Sequence, residues 1–371
     1  MTWIVGAAGA IFLCLSFLSD AAALDLRASA NKISYSEKAR AYGLNSGNLI
    51  VVDGKSAVVY DKRLRPGPLI SMKSDQQLTV AENGMYYGLI SSYKAGVFQE
   101  ELLHRIDIHD ARHNVIWSFE GLAHGEYYIS PSGDYMIFAG GTVGAFDWQV
   151  IVCNSDQTAT LLDIDALKEI RFASDGSRFV IDGGPRGVHL YDKAGCRLKE
   201  FEPQNNFAIS ATGEYFAVVK ARILSIYRDT TLLSGNIAVD GEIIAIKISE
   251  KSNRLYYISA FNLVAVDMDK GTRVWGYKPE TAQYRFTSLD LSVDHQYIAC
   301  GVILNLGASV PKDKRHPKGY IYMFDIGRNF IRKAEFPNSA WAAGQPEVGF
   351  WPDHRTILVR TYDRILTFEM I

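Results

Sequence analysis

The densest run of side chains able to do chemistry lies between His104 and His124, where His104, His109, His113 and His124 surround Asp107 and Asp110. Imidazoles and carboxylates hold a metal only when several converge on one point. On a strand, alternate residues share a face, so Asp107 and His109 point together and His104 points away. His113 falls in a turn and His124 in a loop at the opposite end of the same unit, so no metal site is expected here. Gly183-Gly184-Pro185-Arg186-Gly187 has the glycine content of a phosphate loop. It sits between two strands with no helix after it, so the amide cradle and helix dipole are absent and it reads as a hairpin loop. Neither G-x-S-x-G nor H-E-x-x-H occurs. No catalytic residue and no cofactor follow from any contiguous motif. Cys153, Cys196 and Cys300 are isolated, with no CxxC, and read as small buried strand residues rather than a disulfide framework or zinc site.

The elements around these residues repeat. A phrase of apolar strand, tight polar turn and second apolar strand recurs as VAENGMYYGLI from Val80, ISPSGDYMIFA from Ile129, FASDGSRFVID from Phe172 and ISATGEYFAVV from Ile209. Further copies are ISEKSNRLYYI from Ile248, LSVDHQYIACG from Leu291 and FWPDHRTILVR from Phe350, with a weaker one, GLNSGNLIVVD, from Gly43. The turn positions Gly47, Gly84, Gly133, Gly176, Gly213, Asn253, His295 and His354 recur at about 44 residues, the spacing of propeller blades. Asn-Gly, Ser-Gly, Asp-Gly and Thr-Gly admit the positive φ of a tight hairpin, and the flanking runs are too short for helices. A third strand follows most hairpins (GVHLYDK, RILSIYR, YIYMFDI), then often a fourth (NVIWSFEG, CRLKEFEP, TRVWGYKP). Four antiparallel strands per repeat make one blade. The expected fold is all-β, a single propeller of four-stranded antiparallel blades over residues 24–371, with eight blades favoured and seven the alternative. The last hairpin, Thr356 to Met370, has no fourth strand after it, and the segment near Leu26 to Ser34 is expected to supply one.

The best-formed copy, NLVAVDMDKGTRVWGYKP from Asn262 to Pro279, resembles the repeat of the pyrroloquinoline-quinone-type propellers. Ala265, Asp267, Gly271 and Trp275 hold the places of that pattern, and a degraded copy from Arg105 to Gly121 is read as keeping Asp107 and Trp117. The Ser-x-Asp/Asn-Gly turns also resemble those of WD-repeat propellers. The first resemblance implies either an exported dehydrogenase or a non-enzymatic envelope scaffold. The dehydrogenases of that group carry a vicinal cysteine pair, and this chain has no adjacent cysteines, which favours the scaffold.

Thirty-nine basic residues against 41 acidic ones, with no basic stripe, exclude a general nucleic-acid binder. Trp3 to Leu18 is an uncharged apolar run, too short for a comfortable membrane span, and Ala21-x-Ala23 follows it. Residues 1–23 are therefore expected to be a cleaved secretory signal rather than an uncleaved anchor, leaving no transmembrane span. No Asn-x-Ser/Thr sequon occurs, which leans toward a bacterial envelope, periplasmic or extracellular. In a four-strand meander the second-to-third loops and the blade-to-blade connections share one end, and here they vary most in length. Loops on a rigid scaffold carry binding residues. Tyr93, Phe98, His124, Trp148, Arg186, Tyr284, Arg285, Lys314, Arg315 and Trp341 lie on that end and are the expected binding set. The basic loop Gly301 to Gly319 reads equally as a solvated insertion. The function expected is a non-enzymatic module that binds a protein or envelope polymer through this face. The alternative is a hydrolase, lyase or quinone-type oxidoreductase working at the mouth of the propeller channel.

Overall fold

The computed structural model describes residues 26–28, 33–34, 40–44, 48–53, 56–61, 65–73, 76–81, 85–94, 102–110, 112–122, 125–141, 148–164, 166–304, 318–337, 346–351, 355–361 and 364–370. The fold is a multi-blade β-propeller of antiparallel sheets, one per sequence repeat. The chain forms two compact units, one of residues 35–276, the other of the described residues up to 34 together with 277–371. The larger unit holds six four-stranded sheets, spanning 40–71, 76–122, 125–162, 169–201, 206–238 and 243–277. The smaller unit holds a seventh, 284–337, and an eighth sheet built on Glu347–Phe350, Thr356–Arg360 and Arg364–Met370. This eighth sheet is composite: Leu26–Ala28 and Ile33–Ser34 both pair antiparallel with Arg364–Met370. The strand missing after Met370 thus comes from the segment expected to provide it.

The fourth blade shows why these residues make these strands. Its second strand, Arg178–Asp182, pairs with its third, Val188–Asp192, from Arg178 opposite Asp192 to Asp182 opposite Val188. Phe179, Val180, Ile181, Val188 and Leu190 are fully buried. Phe179 and Ile181 pack on Tyr135, Ile137, Val150 and Val152 of the third blade. Val180, Val188 and Leu190 face the other way, onto Phe207, Phe216 and Val218 of the fifth. A sheet covered on both faces needs apolar residues at successive positions, which is why these strands read as unbroken runs rather than alternating ones.

The first hairpin turns among the described residues have the geometry their sequence demands. Gly133, Gly176 and Gly213 have φ of 73°, 74° and 73°, and Asn253 and His295 take φ of 51° and 60°. A Cβ on Gly176 would lie 2.2 Å from Ser132 Oγ of the preceding blade, so both conformation and space require glycine there. The hairpin between third and fourth strands, at the same end of the blade, is braced by an aspartate. Asp192 Oδ1 accepts from the Ala194 and Cys196 amides at 3.0 and 2.8 Å. Asp267 accepts from Lys270 N at 2.9 Å and Asp325 from Asn329 N at 2.8 Å. Asp182 braces its own loop, accepting from Gly184 N. In the second blade the brace is Asp110, which takes the Arg112 and Asn114 amides, each at 2.9 Å. The expectation that Asp107 holds this place is corrected: Asp107 instead accepts from Arg105 Nε and Ser118 Oγ along the strands. Trp117 keeps its role, donating Nε1–H to Gly133 O of the next blade at 2.6 Å.

Asp192→Ala strips two amides of their acceptor at a turn already set by neighbouring strands. The expected loss is about 1–2 kcal/mol in urea unfolding, with an unchanged m-value.

Candidate binding groove

Of the residues expected to bind, Arg186 stands in a formed site. Asp182 Oδ1 accepts Gly184 N at 2.8 Å, and Gly183 N donates to Gly187 O at 2.8 Å, closing the loop. What reads as a plain hairpin loop contains a single 3-10 turn, Gly184–Arg186. Gly187 has φ of 97°, and a Cβ on it would lie 2.1 Å from Phe201 O, so the turn presses flat on the blade's outer strand. That posture presents Arg186 to solvent. Lys168 Nζ pairs with Asp182 Oδ2 at 3.0 Å and ties the connection from the third blade to the same end.

Between this loop and the third blade runs a groove of about 540 Å³. Gln149 comes from the third strand of blade three, and Leu161 and Leu162 from its fourth. Asp163 and Ile164 belong to the connection that follows, and Arg186, His189, Arg197 and Glu200 come from blade four. Arg197 and Glu200 pair at 3.3 Å on the exposed outer strand. His189 is 3% exposed, a polar residue in an otherwise apolar strand. Its Nε2 lies 3.1 Å from the carbonyl oxygen of Arg186, so Nε2 carries the proton and Nδ1 the lone pair. Nδ1 is covered and has no hydrogen-bond partner among the described residues. Burial pushes the imidazole pKa below its ordinary value, against the opposing pull of Glu200 and Asp163. The ring is neutral at neutral pH.

A second groove, of about 560 Å³, lies along the same outer strand, and its charged lining residues are engaged in internal pairs. Lys199 Nζ lies 4.6 Å from the Tyr227 ring centroid, and Lys220 pairs with Glu202.

Of the remaining expected residues, Tyr93, Tyr284 and Arg285 do not line the Arg186 groove. Phe98, His124, Lys314, Arg315 and Trp341 lie outside the described residues. Tyr93 is half-buried near the end of Tyr86–Lys94, opposite Leu103. Trp148 opens the third strand of blade three opposite Gly141. Tyr284 and Arg285 belong to the smaller unit. Tyr284 packs on Tyr320 and Tyr322, and Lys333 Nζ sits 4.3, 4.4 and 5.2 Å from those three ring centroids. This aromatic cage is occupied by the protein's own lysine. The histidine run behaves similarly. His109 stacks on Tyr87 at 4.8 Å and His113 Nδ1 meets the Tyr87 hydroxyl at 2.8 Å, while His104 bonds Tyr127 elsewhere. Burial, with Asp110 nearby, pushes the Tyr87 hydroxyl up to about 12.

Sequence reasoning finds Arg186 but misses Gln149, Asp163, His189, Arg197 and Glu200. The one available signal is His189 itself, the lone polar residue inside V-H-L-Y.

His189 makes stability pH-dependent. Its folded pKa lies below the ordinary 6.5, so on acidification the unfolded chain takes up a proton that the folded chain refuses. Stability is complete above the unfolded pKa and falls as pH drops through it. Comparing wild type with His189→Phe by urea unfolding from about pH 7.5 to about pH 5, the difference should move steadily in the variant's favour. A pH-independent difference would mean the imidazole protonates freely in the fold.

No protein-family model matches the chain, and no curated protein matches it in sequence. Solved structures do match in fold. The C-terminal WD40 domain of Sif2 aligns at TM-score 0.58 and 10% identity, over 93% of this chain and 98% of that one. BamB from Moraxella catarrhalis aligns at 0.53 and 12%, over 93% and 98%. The dihydro-heme d1 dehydrogenase NirN, in complex with DHE, aligns at 0.50 and 12%, over 84% of this chain and 66% of that one. These likenesses show the fold alone, a β-propeller.

Proposed function

We propose that this protein is an exported, non-enzymatic binding module that holds a protein or envelope polymer against the variable-loop end of its blades. The observation that carries the reading is the groove beside Arg186. It lies at the loop end of a blade whose strands are otherwise sealed, and most of its lining residues are polar or charged in a molecule whose blade interfaces are apolar. Its volume falls in the range of sites that hold a small ligand or one segment of a larger one. Arginine suits such a place, because its planar fork offers several donors at modest entropic cost.

A second reading, an enzyme using the same groove, is favoured by His189, a neutral imidazole near two carboxylates. It ranks lower because Nε2 is held by a backbone carbonyl and Nδ1 is covered, so neither nitrogen is presented to a reactant.

Two outcomes test the proposal. Protein recovered from its native host should have a mature mass beginning at Leu24, from cleavage after Ala23; an intact Met1 would remove the export half. Crosslinking capture from the native envelope fraction should yield a discrete partner with wild type. Arg186→Ser, on an exposed side chain, should weaken capture by about tenfold without lowering thermal stability. Equal capture by both would move the binding surface away from this groove.

A further inference from the structure

The groove's own chemistry narrows what it holds. Its ionised side chains are Arg186 and Arg197 against Asp163 and Glu200, and His189 adds no charge at neutral pH. The lining is therefore balanced. A polyanion that approaches Arg186 also approaches two carboxylates, and a polycation meets two guanidinium groups, so neither gains much net Coulomb energy. The same set is rich in both halves of the hydrogen bond. The guanidinium groups and the Gln149 amide donate, while the carboxylates and the Gln149 carbonyl accept. Leu161, 60% exposed, joins the buried Leu162 and Ile164 in the lining and gives it an apolar part. The occupant that matches all three properties is uncharged, bears groups that donate and accept at the same atom, and has an apolar face. The size agrees: about 540 Å³ seats a few linked rings, whereas a protein partner needs on the order of 800 Å² of surface on each side.

Resting on the reading that this end of the blades binds a ligand, we infer that the Arg186 groove is a subsite for a neutral, hydroxyl-rich glycan segment. Vicinal hydroxyls take the place of water between the arginines and carboxylates, and the C–H face of a sugar ring lies on Leu161.

The test uses the mature full-length protein on an array of neutral oligosaccharides. The strongest binder is then titrated calorimetrically at about 20 mM and about 300 mM NaCl. Wild type is compared with Arg186→Ser and Asp163→Asn, both at exposed positions. For a neutral polyol each substitution removes hydrogen bonds. Both variants should then bind about tenfold more weakly, and salt should change the affinity by less than about twofold. The inference is overturned if the two variants move in opposite directions, Arg186→Ser weaker and Asp163→Asn tighter, with affinity falling in salt. That pattern belongs to an acidic peptide or polyanion. It is equally overturned if the array is silent while envelope capture persists and depends on Arg186; the binding reading then survives without the glycan. A silent array together with Arg186-independent capture removes both.

Discussion

A sheet covered on both faces has no room for a charge except at its strand ends and on its outermost strand. Most of what is distinctive here follows from that constraint. Phe179 and Ile181 look toward one neighbouring blade and Val180 toward the other, so the middle strands are committed to packing. Charged and hydrogen-bonding side chains are pushed into the turns, where aspartates such as Asp192 and Asp325 brace backbone amides, and onto outer strands such as that of Arg197 and Glu200. The Arg186 groove forms where these two permitted zones meet, at the loop end of one blade beside the outer strand of another. His189 is the exception that marks the place. It is buried, uncharged and tied to the loop that carries Arg186.

The same constraint explains what could be read from the amino-acid order. Turns are local: an Asp-Gly or Thr-Gly pair dictates φ within a few residues, so Gly133, Gly176 and Gly213 were legible as hairpin turns. Unbroken apolar runs announce buried strands for the same reason. The substitution of Asp110 for Asp107 was not legible. Both are acidic and near the end of one strand, and the choice depends on a register shift between Val115 and Trp117 that only the paired strands reveal. The groove was illegible for a related reason. Leu161 to Ile164 and His189 to Glu200 belong to successive repeats, and their meeting depends on how one blade packs on the next. Tyr284 shows the opposite error. An aromatic residue at a loop end reads as a contact for a partner, yet its ring is engaged by Lys333 from three strands away in its own sheet.

Neighbouring blades in the larger unit are also joined by hydrogen bonds that cross between turns. Ser177 Oγ donates to Thr212 O, Arg178 Nη1 to Gly213 O, and Thr212 Oγ1 to Glu250. In the smaller unit Ser288 Oγ takes the amide of Val348 and Asp290 that of Phe350. The contacts of the larger unit lie at the hairpin end opposite the Arg186 loop. One end of the blades is thus fastened by short, repeated turns, leaving the other free to differ from repeat to repeat without loss of packing.

The composite eighth sheet has a kinetic side. Leu26–Ala28 and Ile33–Ser34 pair with Arg364–Met370, a strand from the far side of all the other blades in chain order. Until that strand exists the early segment has no ladder to join, so this sheet completes only after the intervening blades have been made. Closing so long a loop costs entropy and makes this step slow relative to the local hairpins. During that interval the Arg364–Met370 edge is open to any strand of matching register, including the same segment of a second molecule. Concentration during refolding therefore decides between the monomeric sheet and an exchanged one.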